Sequence, residues 1–80
     1  MKSYNDIEEN SYGAILKKAR ENYSKKNNIK FGQKELAEYL GVGISSIGGW
    51  EQGRRAIPSE HFTRINNLLG TNFTSKRISN

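Results

Sequence analysis

The 80-residue chain has no cysteine, and only one proline, one histidine, one tryptophan and one aspartate. Without cysteine there is no disulfide framework and no thiolate metal site. A single histidine, His61, excludes a multi-histidine metal centre, and with Asp6 as the one aspartate no histidine-based triad with an Asp partner is available. The residues therefore point away from an enzyme, a cofactor or a bound metal. Long apolar runs are also missing. Nothing approaches the roughly 20 residues of a membrane span, and no apolar stretch follows Met1 as in a signal peptide. A cytoplasmic protein that does not meet the membrane is the expectation. Hydrophobic residues make up only 34% of the chain. The core must be small, and a partner or a second copy could add to it.

What the chain does have is positive charge. Thirteen basic side chains stand against eight acidic ones, a net charge of +5. The excess is uneven: residues 1–10 hold one lysine and three carboxylates, so residues 11–80 hold twelve basic and five acidic groups, a net +7. A small domain with that balance either meets a polyanion, nucleic acid being the common one, or carries a solvated basic face.

Periodicity places four helices and no sheet. Residues 1–10 are acidic and polar without a clear period, and read as a flexible arm. Ser11 is a good N-cap, and Tyr12, Ile15, Leu16, Ala19 and Tyr23 then recur at helical spacing, giving a first helix from Tyr12 to Lys26. Asn27 and Asn28 are its stop. Gly32 opens a second helix, Gln33 to Leu40, with Phe31 and Leu36 at staple spacing and Gly41 as its C-cap. Gly43 opens a third that ends at Gly53. Two short helices joined by Gly-Val-Gly make a helix-turn-helix. Pro58 leads into a fourth helix, Ser59 to Leu69, with Phe62, Ile65, Leu68 and Leu69 on one face. Residues 71–80 read as a flexible tail or linker with an isolated Phe73. His61 reads as an ordinary exposed side chain.

The third helix is the unusual one. On a helical wheel Ile47, Trp50 and Glu51 cluster on one side, while Ser45, Gly48, Gly49 and Gln52 lie on the other, with Ile44 at the N-terminal edge. A merely solvated helix would carry Lys, Glu and Arg there. Two central glycines cost roughly 1 kcal/mol each relative to alanine. Small residues let a helix backbone approach a surface such as a DNA major groove; otherwise this is a mediocre helix held by Trp50.

The segment QKELAEYLGVGISSIGGWEQGRRAIPS resembles the helix-turn-helix core of the lambda-repressor/Cro-like, Xre-type family. Gln33, Glu35-Leu36-Ala37, Leu40-Gly41-Val42, Ile47, Trp50-Glu51, Gly53-Arg54 and Pro58-Ser59 carry the likeness, and KKARE with Arg20 fits the first helix. It spans about residues 11–70. The resemblance implies an all-α domain of four helices, or five, that binds double-stranded DNA as a homodimeric transcriptional repressor, with the third helix in the major groove. It implies phosphate contacts from Gln33 and from Arg54 and Arg55. It implies base reading at Ile44, Ser45 and Gly49, with Gln52 able to share the task. Lys34 and Ser46 complete the expected DNA-binding set. Arg20 and Glu51 match a structural ion pair. The link between the first two helices is longer than the family pattern and adds Lys25, Lys26 and Lys30, as phosphate contacts or as a solvated loop. A fifth helix, which often completes a family dimer, is not evident after Gly70. The alternative function is an antitoxin-like or anti-repressor-like module whose main partner is another protein, held by the N-terminal arm or the C-terminal tail.

Overall fold

The computed structural model describes residues 4–74, with side chains from Tyr12 onward. Four helices form it: α1 (Tyr4–Asn27), α2 (Gln33–Leu40), α3 (Ile44–Glu51) and α4 (Phe62–Leu69), the last preceded by a single 3-10 turn at Ser59–His61. The described residues contain no strand.

Helix α1 begins at Tyr4 and not near Tyr12, so residues 4–10 continue the helix, where the sequence led us to expect a separate arm. Ser11, expected as an N-cap, lies inside the helix. Asp6, Glu8 and Glu9 therefore lie within the first half of α1. At the other end the expected stop holds. Asn28 takes a left-handed φ of 54°, the Ile29 N–H donates to Ser24 O at 3.1 Å, and the Asn28 N–H donates to Lys25 O at 3.2 Å. These two bonds close the helix as a Schellman cap does. The Ser24 hydroxyl accepts from the Phe31 N–H, tying the connection back onto α1.

Helix α2 is bounded by two glycines. The Gly32 N–H donates to Glu35 Oε1 at 2.8 Å, which is the carboxylate half of a capping box. Gly41 closes the helix with φ 74°, and Val42 N–H reaches back to Ala37 O at 3.0 Å. The turn is short enough to set α3 against α2 at once.

The core is Leu16 from α1, Leu36, Ala37 and Leu40 from α2, Ile47 and Trp50 from α3, Ile57 from the connector, Ile65 from α4, and Phe73. Leu16, Leu36, Ile47 and Ile65 are fully buried. Ile15, expected on the core side of α1, is instead 43% exposed; the neighbouring elements cover Leu16 and Arg20 and leave Ile15 outside.

Two further differences lie around α4. His61 is not an ordinary exposed side chain: its ring packs on Trp50 with centroids 5.5 Å apart, because the 3-10 turn after Pro58 lays it over the indole. Phe73 is only 3% exposed. The Asn66 side chain places it there, donating through Nδ2 to Phe73 O and accepting the Phe73 N–H at Oδ1, both at 2.9 Å. Thr71 donates its hydroxyl to the same oxygen at 2.7 Å. Phe73 then completes an aromatic cluster with Tyr12 and Phe62, and the Tyr12 hydroxyl bonds the Thr74 backbone. The chain therefore stays with the domain through Thr74, beyond the break expected after Gly70. The remainder of the expected tail, 75–80, and residues 1–3 of the expected arm lie outside the described residues.

Candidate nucleic-acid interface

Any surface presented by α3 is only as well placed as α3 itself. Three partners hold it. Glu51, at its last turn, takes a bidentate contact from Arg20 of α1, with Arg20 Nε 2.7 Å from Oε2 and Nη2 3.0 Å from Oε1. Gln33, the first residue of α2, donates Nε2 to the same Oε1 at 2.9 Å. The Arg20 and Glu51 side chains are 10% and 2% exposed. Hydrogen bonds from the Arg20 guanidinium to Glu51 outweigh the cost of burial and, with the charge of Glu51, raise the Arg20 pKa above its ordinary value. The carboxylate thus joins α1, α2 and α3 at one point.

Gly13 is the second support, and the sequence reading did not single it out. A Cβ at position 13 would stand 2.1 Å from Trp50 O and 3.3 Å from Glu51 O. The bare backbone of α1 therefore lies directly on the C-terminal end of α3. A glycine inside an otherwise helical pattern is the signal that could have exposed this contact. The third support is Trp50, covered by His61.

With its inner face so fixed, α3 presents an outer one. Ile44 is 52% exposed at the first position. Ser45 is exposed and Ser46 half-buried. Gln52, Arg54 and Arg55 are exposed just beyond the C-terminus of α3. Gln33 is half-buried with its amide nitrogen engaged by Glu51, and Lys34 is exposed beside it at the start of α2. Gly49 lies on the side of α3 where the wheel put it, but that side is not open at this position. It is buried under Arg55, whose Cδ lies 3.1 Å and Cγ 3.4 Å from where a Cβ would be. The cause is the turn after α3. Gly53 takes φ 80°, and the chain doubles back so that Arg54 N–H and Arg55 N–H both donate to Gly49 O, at 2.9 and 3.3 Å. Lys25 and Lys30 rim an open groove with Arg20, Glu21, Ser24 and Phe31. Among the described residues no carboxylate pairs with Lys34, Arg54 or Arg55.

Two short helices joined by a tight glycine turn, the second with a small polar outer face flanked by free arginines, define a helix-turn-helix domain. The chain belongs to the lambda-repressor/Cro-like helix-turn-helix family: the family model, described as helix-turn-helix, matches residues 16–75. That match ends one residue past the last described position and includes Phe73. The family is one of DNA-binding transcription regulators. No match was found among curated proteins or among solved structures. Among the described residues no helix is long and apolar enough to cross a membrane.

Proposed function

We propose that the protein is a sequence-specific repressor of transcription that binds double-stranded DNA as a homodimer, with α3 in the major groove. The observation that supports this best is the exposed row of Ile44 and Ser45 on α3, continued by Gln52 just past its end, on a helix whose opposite side is tied to α1 and α2 through Glu51. A rigid helix with small groups outward is what close approach to base edges needs. Ile44 offers an apolar contact to a thymine methyl, and the Ser45 and Gln52 side chains offer hydrogen bonds to base edges, with Ser46 at the margin. Gln33, Lys34 and Arg54 supply contacts to phosphates on either side of the groove. The dimer places two such helices about 34 Å apart, one turn of DNA.

The test is selection from a random duplex pool, followed by salt titration on matched and scrambled duplexes. Arg54→Ala is expected to weaken both duplexes alike and to lower the slope of log K against log salt by about 0.9, as one lost phosphate contact does. Ser45→Ala is expected to change preference at one base pair and leave the slope unchanged. Sedimentation with the selected duplex is expected to show two chains per site. A protein that enriches no sequence and instead captures a protein partner would replace this reading with the antitoxin-like one.

A further inference from the structure

We propose that Arg55 is a specificity-determining residue that reads a guanine edge from a seat over Gly49, and is not simply one more contact to the DNA backbone. The inference rests on the reading of α3 as the groove-facing helix. Positions four apart on a helix share a face, so position 49 stands one turn below Ser45. Ser45 is exposed on that face, as is Ile44 beside it. Gly49 has no side chain to present there, yet it is buried, and what covers it is Arg55. The aliphatic stem of Arg55 lies across Gly49, and its Nε is 3.6 Å from the point a Cβ would occupy. That is about where the body of a long side chain at 49 would run. The backbone holds the arrangement, since Arg54 and Arg55 both bond Gly49 O and Gly53 sets the reversal. The guanidinium is thus delivered to the same face as Ser45 from a residue outside the helix. Among the described residues it has no carboxylate partner, so its fork of donors is free. A planar bidentate donor on the groove side of a recognition helix matches the O6 and N7 acceptors of guanine. Glycine at 49 serves this seat, because a Cβ there would stand 3.1 Å from Arg55 Cδ and press the arginine stem aside.

Three variants of the full chain, Arg55→Lys, Gly49→Ala and Arg55→Gln, test the assignment, each compared with the wild-type protein on its own selected duplex and on duplexes with each base pair replaced in turn. Arg55→Lys keeps the charge and loses the fork. It is expected to lose discrimination for guanine at one base pair by about 5- to 150-fold, with the salt slope unchanged. Gly49→Ala keeps both the arginine and the helix. Its Cβ would sit 3.1 Å from Arg55 Cδ, so the flexible side chain must shift, and preference at the same base pair is expected to weaken. A merely structural or phosphate-holding Arg55 predicts otherwise: Arg55→Lys leaves every preference intact, and Arg55→Gln weakens all duplexes equally with a slope reduced by about 0.9. Either of those results, in a wild-type protein that does enrich a motif, overturns the role of Arg55 alone. A wild-type protein that enriches no motif overturns the groove-facing reading and this assignment with it.

Discussion

Gly13 lies so close to Trp50 that a methyl group on it would be 2.1 Å from the Trp50 carbonyl oxygen. The obstacle is backbone and cannot swing aside. Gly13→Ala is therefore expected to destabilise the domain by about 1–3 kcal/mol, although alanine is the better helix former. In a domain of this size each kcal/mol moves Tm by about 4–8 °C. Gly48→Ala is the internal control, because the nearest atom to its Cβ is Gln33 Oε1 at 3.9 Å. It should hold or raise Tm. Thermal unfolding by circular dichroism separates the two, and an unchanged Tm in Gly13→Ala would show that α1 and α3 are not in this contact.

Glu51→Ala is expected to cost about 3–5 kcal/mol, since it strands a buried Arg20 guanidinium and frees Gln33. The loss is read in urea unfolding followed by Trp50 fluorescence. Removing Arg20 as well should cost less than the sum of the two single changes, as coupled partners do. Strict additivity would mean that the two side chains do not interact.

Glu35 links the start of α2 to pH. The Gly32 backbone N–H bonds its carboxylate and lowers its pKa below the usual glutamate value, with Lys30 and Lys34 adding a smaller pull in the same direction. A carboxyl group lowered on folding contributes stability that is fully present above its unfolded pKa. That stability is lost as pH falls through the lowered, folded value. Glu35→Gln keeps an acceptor without the charge, so its unfolding curve should depend less steeply on pH across the acid range. Parallel curves for the two proteins would remove Glu35 from the acid response.

Asn66 governs the last described segment. Its amide makes both hydrogen bonds to Phe73 and accepts the Thr71 hydroxyl. Asn66→Ala leaves these groups without partners, at about 1–3 kcal/mol for each buried one. Hydrogen exchange at the Phe73 amide should then speed up far more than at Leu36 or Ile47 in the core. Equal protection in variant and wild type would mean that the aromatic cluster alone retains Phe73.

Local rules that act over a few residues were legible in the sequence. Asn28, Gly41 and Gly53 end their helices with positive φ where asparagine or glycine is tolerated, and the spacing of Leu36, Leu40, Ile47 and Trp50 marks the inner sides of α2 and α3. The helix-turn-helix likeness is of the same kind, because its pattern of apolar, glycine and charged positions is contiguous. Only the tertiary structure decided contacts between residues far apart in the chain. Periodicity counts Ile15 and Leu16 alike, but packing buried one and exposed the other. An isolated Phe73 reads as tail until the Asn66 side chain turns the chain back over Tyr12 and Phe62. A wheel drawn for α3 alone leaves Gly49 open, because it carries no account of the turn at Gly53 that folds Arg55 over it. The physical reason is common to all three: a helical period specifies which positions share a face, whereas what covers that face depends on where the chain returns after leaving the helix.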